Sequence, residues 1–267
     1  MKLLNNIFSL DGRTAIITGA AGFLGNKICD TLSELGANLI MIDKEKNKKS
    51  ESLLKKFKNK YKKQKFNFLY ANFLIEQDIK KLILELNKFK NISILVNNAA
   101  YSPPKNSTGY LEPFEKQSLK IWQNSFDVNL KSVFEIIQAL SKNLKKNSPS
   151  SIINISSIYG VYAPDLSIYK GTNMHNPASY ATSKAGLVQL TKWLSKVLSP
   201  KVRVNSISAG GILRGQNKKF IRAYSNKTSL KRMAKEDDFV GIIALLASDA
   251  SEYITGQNII VDGGWGV

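Results

Sequence analysis

Between Arg13 and Asp43 the chain reads RTAIITGAAGFLGNKICDTLSELGANLIMID, and these residues restrict the fold more than any others. Residues 15–18 form an apolar run of strand character, broken at once by Gly19 and Gly22. Residues 23–35 repeat apolar side chains at helical spacing, and residues 39–42 are a second apolar strand that ends in Asp43. Strand, glycine turn, helix, and strand with an acid at its tip make up half of a dinucleotide-binding fold. Glycine permits the tight turn and leaves space over the backbone for a pyrophosphate. The helix start supplies unsatisfied N–H groups and the positive end of the helix dipole. Asp43, 18 residues beyond Gly25, is placed to accept both hydroxyls of an adenosine ribose. A carboxylate there repels a 2′-phosphate and so favours NAD over NADP, a preference that Lys44 beside it weakens.

The same alternation continues along the chain. A lysine-rich helix is expected over residues 47–63, a strand over 66–70, a helix over 77–88 and an apolar strand over 92–96. The strand at 66–70 is followed by Asn72 and Phe73, where an adenine ring would lie; the strand at 92–96 runs into Asn98, Ala99 and Ala100, a small-residue turn on the nucleotide's path. Residues 101–117 read as a surface loop, followed by helices carrying Trp122, Phe126, Val128, Leu130, Phe134, Ile137 and Leu140. Further strands are expected at 151–155, 202–206 and 257–261, with helices over 180–197 and 236–247, while 212–230 reads as irregular and polar. About seven apolar strands without strict alternation belong to a parallel sheet covered by helices on both faces. The functional residues of such a sheet gather at the C-terminal ends of its strands.

At 267 residues, with no linker-like stretch, the chain is expected to form one domain. The single cysteine, Cys29, excludes an internal disulfide and a cysteine metal site, and its place on an apolar helix face makes it a buried small hydrophobe. No segment has signal-peptide character or approaches the roughly 18 apolar residues of a membrane span. A cytoplasmic protein without a membrane partner is expected. The formal charge is +19, and lysine supplies 34 of the 39 basic residues. Eleven lysines fall between Lys44 and Lys65, which reads as the solvated outer face of one helix. Recognition of nucleic acid, which leans on arginine and stacking aromatics, is not supported.

The turn TGAAGFLG at 18–25, NNAA at 97–100, Asn129 in DVNL, Ser157 in NISS, the pentapeptide YATSK from Tyr180 to Lys184, Asn205, and the tail ITGQNIIVDGG together resemble the classical short-chain dehydrogenase/reductase family over essentially the whole chain. The resemblance implies a single-domain Rossmann fold of the α/β class, a nicotinamide dinucleotide, and a homodimer or homotetramer built on the helices that begin near Asn129 and Tyr180. It implies a catalytic tetrad of Asn129, Ser157, Tyr180 and Lys184, in which Asn129 anchors a proton-relaying water. The dinucleotide is expected on Gly19, Ala21, Gly22, Phe23, Leu24, Asp43, Asn72, Phe73, Asn98, Ala99, Ala100, Tyr180, Lys184, Gly210 and Ile212.

The residues also argue for this chemistry directly. Tyr180 and Lys184 are four apart on a helix and share a face. A phenol with a reference pKa near 10 is a poor base at neutral pH, and a nearby ammonium favours the phenolate. Tyr180 then serves as acid toward a carbonyl oxygen or base toward a hydroxyl. Ser157, at a strand tip, is placed to hydrogen-bond the substrate oxygen, and Lys184 to hold the nicotinamide ribose. No metal is required, and the lone His175 cannot assemble a zinc site.

Three departures from the family pattern stand out. Phe23 occupies the place of a middle glycine, with Gly22 one position earlier, which resembles the extended branch of epimerases and dehydratases that recycle NAD. Ala209 replaces a proline before Gly210, and Arg214 stands where a threonine is usual. The 23-residue step from Ser157 to Tyr180 is long and implies an insertion over about 161–175 at the rim of the site. Its Tyr162, Asp165, Tyr169, Asn173 and His175 are hydrogen-bonding groups rather than an apolar lid. SSIYGVYAP followed by a long loop resembles oxidoreductases associated with flagellin modification and nonulosonate sugars, implying a polar, sugar-derived substrate. Ser157, Tyr159, Tyr169, His175, Gly211 and Arg214 are its expected contacts. Arg214, Arg222, Lys227 and Lys231, in a substrate loop over 211–230, would meet an anionic group. A noncatalytic dinucleotide sensor is the remaining alternative, and it has no need of Tyr180 and Lys184 together.

Overall fold

The computed structural model describes residues 2–104, 107–172 and 174–267. Seven strands are present among them: β1 (Thr14–Thr18), β2 (Asn38–Asp43), β3 (Phe66–Tyr70), β4 (Ile92–Asn97), β5 (Ser150–Ser157), β6 (Val202–Ala209) and β7 (Asn258–Val261). They pair in parallel in the order β3-β2-β1-β4-β5-β6-β7. The chain first builds outward from β1 to β3, then returns to pair β4 on the other side of β1. The crevice above β1 and β4 is therefore the switch point of the sheet, where ligands bind in open α/β folds.

Apolar residues on successive strand positions pack against helices on opposite faces. Ala15, Ile17, Leu39, Met41, Ile94 and Val96 meet α2 (Phe23–Glu34) and α9 (Val240–Ala247) in one core. Ile16, Ile40, Ile42, Leu95 and Ile152 meet α4 (Glu76–Leu86), α6 (Ser132–Lys146) and α7 (Ala178–Leu198) in the other. Every residue of β4 and β5 is buried; their apolar side chains fill the cores, and the polar ones of β5 find partners, Ser150 donating to the Leu144 carbonyl, Ser151 to the Leu246 carbonyl, Asn154 to the Thr191 hydroxyl and Ser156 to the Lys184 carbonyl. Cys29 is buried in the first core. The lysine-rich segment forms α3 (Lys48–Lys60), opened by a reciprocal cap between Asn47 and Ser50.

The irregular reading of 212–230 is corrected. Residues Lys218–Lys227 form a helix, α8, capped by Asn217, whose side chain accepts from the Lys219 N–H. Its only deeply buried side chains are Phe220 and Tyr224, one turn apart, and they enter a third cluster with Ile158, Ile168, Tyr169 and Met233. Trp265 stacks on Tyr224 with ring centres 4.5 Å apart, and a Cβ at Gly266 would run into the Tyr162 ring. The ion pair of Lys227 with Asp165 ties α8 to the 161–175 segment. This cluster stands above the C-terminal edge of the sheet and forms one wall of the crevice. A short helix, α1 (Lys2–Phe8), was not anticipated, and the helix expected over 236–247 divides into a 3₁₀ turn, Glu236–Phe239, and α9.

Candidate active site

The crevice is a cavity of about 1010 Å³ that runs from the glycine turn to the third cluster. At one end Gly19 adopts φ +65°, and a Cβ there would lie 3.0 Å from the Ala99 Cα. A Cβ at Gly25 would overlap the Gly19 carbonyl, so the first turn of α2 sits directly on the loop. Gly22 caps this helix without a side chain, leaving its first N–H groups to a ligand's oxygens. The Thr18 hydroxyl accepts from the backbone N–H of both Asn98 and Ala99 at 3.0 Å, locking the tips of β1 and β4 together. The Asn98 amide returns hydrogen bonds to the Thr18 and Gly19 carbonyls.

Asp43 ends β2 at the cavity rim. One carboxylate oxygen accepts from the Ala21 N–H at 2.7 Å and the other from the Lys44 N–H at 2.8 Å. The carboxylate is fixed in place while each oxygen keeps a lone pair for a ribose hydroxyl. Lys44, Asn47 and Lys49 line the same end, as do Ala21, Gly22, Leu24, Asn72, Phe73, Asn98, Ala99 and Ala100. Phe23 is 62% exposed, with the Lys49 ammonium 5.0 Å from its ring centre and the Arg214 guanidinium 4.7 Å from it. The residues present fit a dinucleotide: a glycine turn, free helix-start N–H groups, a placed carboxylate and several cations.

At the other end, α7 brings Tyr180 and Lys184 against the tip of β5. Lys184 is 2% exposed, its ammonium 5.9 Å from the Tyr180 ring centre and donating to the Ile155 carbonyl at 2.7 Å. Burial lowers its pKa to about 8. Burial also raises Tyr180 above the ordinary phenol value; the Ser157 hydroxyl works against this, Tyr169 adds to it and Arg214 opposes it. The expectation that Lys184 draws Tyr180 toward the phenolate is therefore corrected for the protein alone. Desolvation outweighs an amine whose own charge burial disfavours. Ser157 lines the cavity, its hydroxyl accepting from the Tyr159 N–H at 3.2 Å.

Asn129 lies behind the cavity wall, in a π-helical turn, Asp127–Lys131, between α5 (Leu119–Phe126) and α6. Its side chain accepts from the Tyr101 N–H at 2.7 Å and donates to the Ser183 hydroxyl at 2.9 Å. Both polar ends are thus engaged by protein, and the side chain joins the 101 loop to α7. Asn205 likewise pins β6 to the approach of β7 through the Ile254 carbonyl and the Gln257 N–H.

On the substrate side Tyr159, Tyr169, Gly210, Gly211, Ile212 and Arg214 line the cavity. The Gly211 N–H donates to the Tyr224 hydroxyl at 2.6 Å, so α8 shapes this wall directly. His175 is exposed and is not brought to the cavity; Asn173 lies outside the described residues. Of the four proposed anion contacts only Arg214 reaches the cavity, and it is paired with Glu236 at 3.3 Å. Lys227 is engaged with Asp165, Lys231 donates to the Asn226 carbonyl and Arg222 points to solvent. Phe220, Tyr224 and Met233 also line the cavity. Their only sequence signal was an aromatic pair four residues apart in a polar stretch. Among the described residues no three His, Cys, Asp or Glu side chains converge as metal ligands.

A family model described as enoyl-(acyl carrier protein) reductase matches residues 19–266. The chain is 31% identical over 261 residues to post-translational flagellin modification protein A of Campylobacter coli, covering 97% of this chain and all of that one. It is similar to the crystal structure of a short chain dehydrogenase from Leptospira borgpetersenii with bound NAD+, at 32% identity and TM-score 0.83, covering 99% of this chain and 96% of that one. A gluconate 5-dehydrogenase from Burkholderia cenocepacia, solved with NADP and tartrate, superposes at TM-score 0.84 with 25% identity and 98% coverage of each chain.

Proposed function

The chain belongs to the short-chain dehydrogenase/reductase family, and we propose that it moves hydride between a nicotinamide dinucleotide and the carbinol or ketone carbon of a polar, sugar-derived substrate. It is an oxidoreductase, and relatives of this fold hold NAD+ or NADP. One observation carries the reading: a single cavity has the glycine turn and Asp43 at one end and Ser157, Tyr180 and Lys184 at the other. The bound dinucleotide supplies the hydride donor or acceptor. Gly19, Gly22 and the start of α2 would hold its pyrophosphate, Asp43 its adenosine ribose and Lys184 its nicotinamide ribose. Asp43 favours NAD.

Ser157 orients the substrate oxygen, and Tyr180 gives that oxygen a proton during reduction or takes one during oxidation. A Tyr180 hydroxyl raised by burial remains protonated at neutral pH, the state required of the acid in the reducing direction. Asn129 holds the 101 loop and α7 in register. The 161–175 segment and α8 form the substrate wall with Tyr169, Met174, Phe220 and Tyr224, and its phenols offer hydrogen bonds to hydroxyl groups. The similarity to a gluconate 5-dehydrogenase solved with NADP and tartrate supports the same reading.

A homodimer or homotetramer is supported by apolar side chains left exposed on α5, α6 and α7, namely Leu119, Trp122, Phe134, Trp193 and Val197. No helix among the described residues is long and apolar enough to cross a membrane.

The test is fluorescence titration with NADH and NADPH, followed by NADH oxidation with keto-sugars and, for contrast, a 3-ketoacyl thioester. NADH should bind the more tightly and be consumed with a keto-sugar. Tyr180→Phe should lower kcat by about 10²- to 10⁴-fold while NADH still binds. Failure of both cofactors to bind below millimolar concentration, or full turnover in Tyr180→Phe, would overturn the reading. Substrate conversion without net NADH consumption would favour the recycled-NAD alternative that the Gly22–Phe23 spacing suggests.

A further inference from the structure

Two phenols meet beside the reacting centre, and nothing in the hydride-transfer chemistry uses them. Tyr159 follows Ser157 by two residues and is held to it through its backbone N–H. Tyr169 comes from the 161–175 segment, is 7% exposed and stacks on Phe220 at 5.4 Å between ring centres. The hydroxyls of Tyr159 and Tyr169 lie 2.9 Å apart, and both residues line the cavity with Ser157 and Tyr180. Their proximity to Tyr180 is also electrostatic, since charge on Tyr169 raises Tyr180 and charge on Tyr180 raises Tyr159.

Each phenol is one donor and an acceptor. Their mutual hydrogen bond consumes one O–H, and the Asn176 amide also reaches the Tyr169 hydroxyl; the remaining phenolic hydrogen-bonding capacity of the pair faces the cavity. A group that both accepts and donates completes such a pair, and an aliphatic hydroxyl is that group. A carboxylate or phosphate only accepts, and the cations nearest to this end already have partners: Lys184 on the Ile155 carbonyl and Arg214 on Glu236 and Phe23. An unsubstituted methylene would bury that capacity without a partner. The third cluster fixes the pair through Tyr169, Phe220 and Tyr224, so little is left to reorganise when a ligand arrives.

We propose that the Tyr159–Tyr169 pair determines specificity by reading a free hydroxyl on the carbon next to the reacting carbon, so that the substrates are α-hydroxy ketones and the corresponding vicinal diols. This rests on the polar-substrate reading above and narrows it. An acyl chain at that carbon offers the pair no hydrogen-bonding partner. Tyr169 belongs to the insertion, so the insertion's role is to supply one half of the pair.

The experiment uses matched ketones that differ only at this carbon: hydroxyacetone against butanone, and ketoses against their 1-deoxy analogues, with NADH as reductant. The wild-type protein should prefer the hydroxylated member by about 100-fold or more in kcat/KM, the scale seen when a site built for a hydroxyl meets an analogue that lacks it. Tyr169→Phe keeps the stack on Phe220 and should collapse the preference to below about tenfold through loss of rate on the hydroxylated member. Tyr159→Phe should do the same. Turnover without discrimination, or discrimination that survives both variants, overturns this proposal and leaves the oxidoreductase reading standing. If no member of any pair is turned over although NADH binds, the polar-substrate reading falls, and this proposal with it.

Discussion

Replacing Lys184 by methionine should make the protein more stable relative to the wild type at neutral pH than at alkaline pH. Lys184 is 2% exposed, and burial lowers its pKa from 10.5 to about 8. At about 1.4 kcal/mol per pH unit, keeping its proton in the folded state costs roughly 3 kcal/mol. Below pH 8 the lysine is protonated in both folded and unfolded chains, and the cost is present in full. Between pH 8 and 10.5 the unfolded chain binds more protons than the folded one, so this residue's contribution makes stability rise with pH. Methionine has no proton to lose. The substitution also strips the Ile155 carbonyl of its donor, at about 1–3 kcal/mol, but that loss does not vary with pH. The buried tyrosines titrate in both proteins and cancel in the comparison. Urea unfolding at pH 7, 8, 9 and 10 should therefore show the stability difference moving by roughly 3 kcal/mol toward the wild type, with most of the change above pH 8. A difference independent of pH would refute the claim that this amine is held at a cost by burial.

Two further outcomes follow from the nucleotide end of the cavity. Asp43→Asn keeps an acceptor for the Ala21 N–H but removes the charge, and two unit charges 4 Å apart interact by about 1 kcal/mol in water and about 4 at an effective dielectric of 20. Fluorescence titration should show the NADPH-to-NADH affinity ratio rising by about tenfold or more, helped by Lys44 and Lys49; an unchanged ratio would remove Asp43 as selector. Phe23→Ala deletes a ring flanked by two cations, contacts of about 0.5–1 kcal/mol each at exposed positions. NADH release, followed by stopped-flow fluorescence, should accelerate by roughly fivefold or more, and an unchanged rate would show that the ring does not restrain the cleft.

What is legible in the sequence is what depends on neighbours in the chain. The glycine turn, the apolar strands and Asp43 are local signals, and so is the four-residue step from Tyr180 to Lys184. The strand order is not: crossover rules fix the handedness of each connection, while the order β3-β2-β1-β4-β5-β6-β7 is set by long-range pairing. The substrate wall is different in kind. The Phe220–Tyr224 pair is a weak helical signal because its partners, Tyr169 and Trp265, are distant in the chain. Four loop cations look alike in sequence, yet Arg214 lies over Phe23 while Lys227 is spent on Asp165. The upward shift of the Tyr180 phenol is hidden for a related reason. Spacing announces that an amine is near, but only the packing reveals how far burial weakens it.

The two ends of the cavity also differ in when they come into being as the chain is made. Residues up to Asn97 already include β1 to β4, with the glycine turn, Asp43 and the Thr18 tie nearly in place. The opposite wall waits for Trp265 to stack on Tyr224 and for Gly266 to admit the Tyr162 ring. On a ribosome, where chains emerge from the N-terminus, the residues of the nucleotide crevice are all present while the substrate wall is still unsynthesised. The nucleotide end thus has its own residues early and waits only for its covering helices α6, α7 and α9, whereas the substrate wall waits for the last residues of the chain.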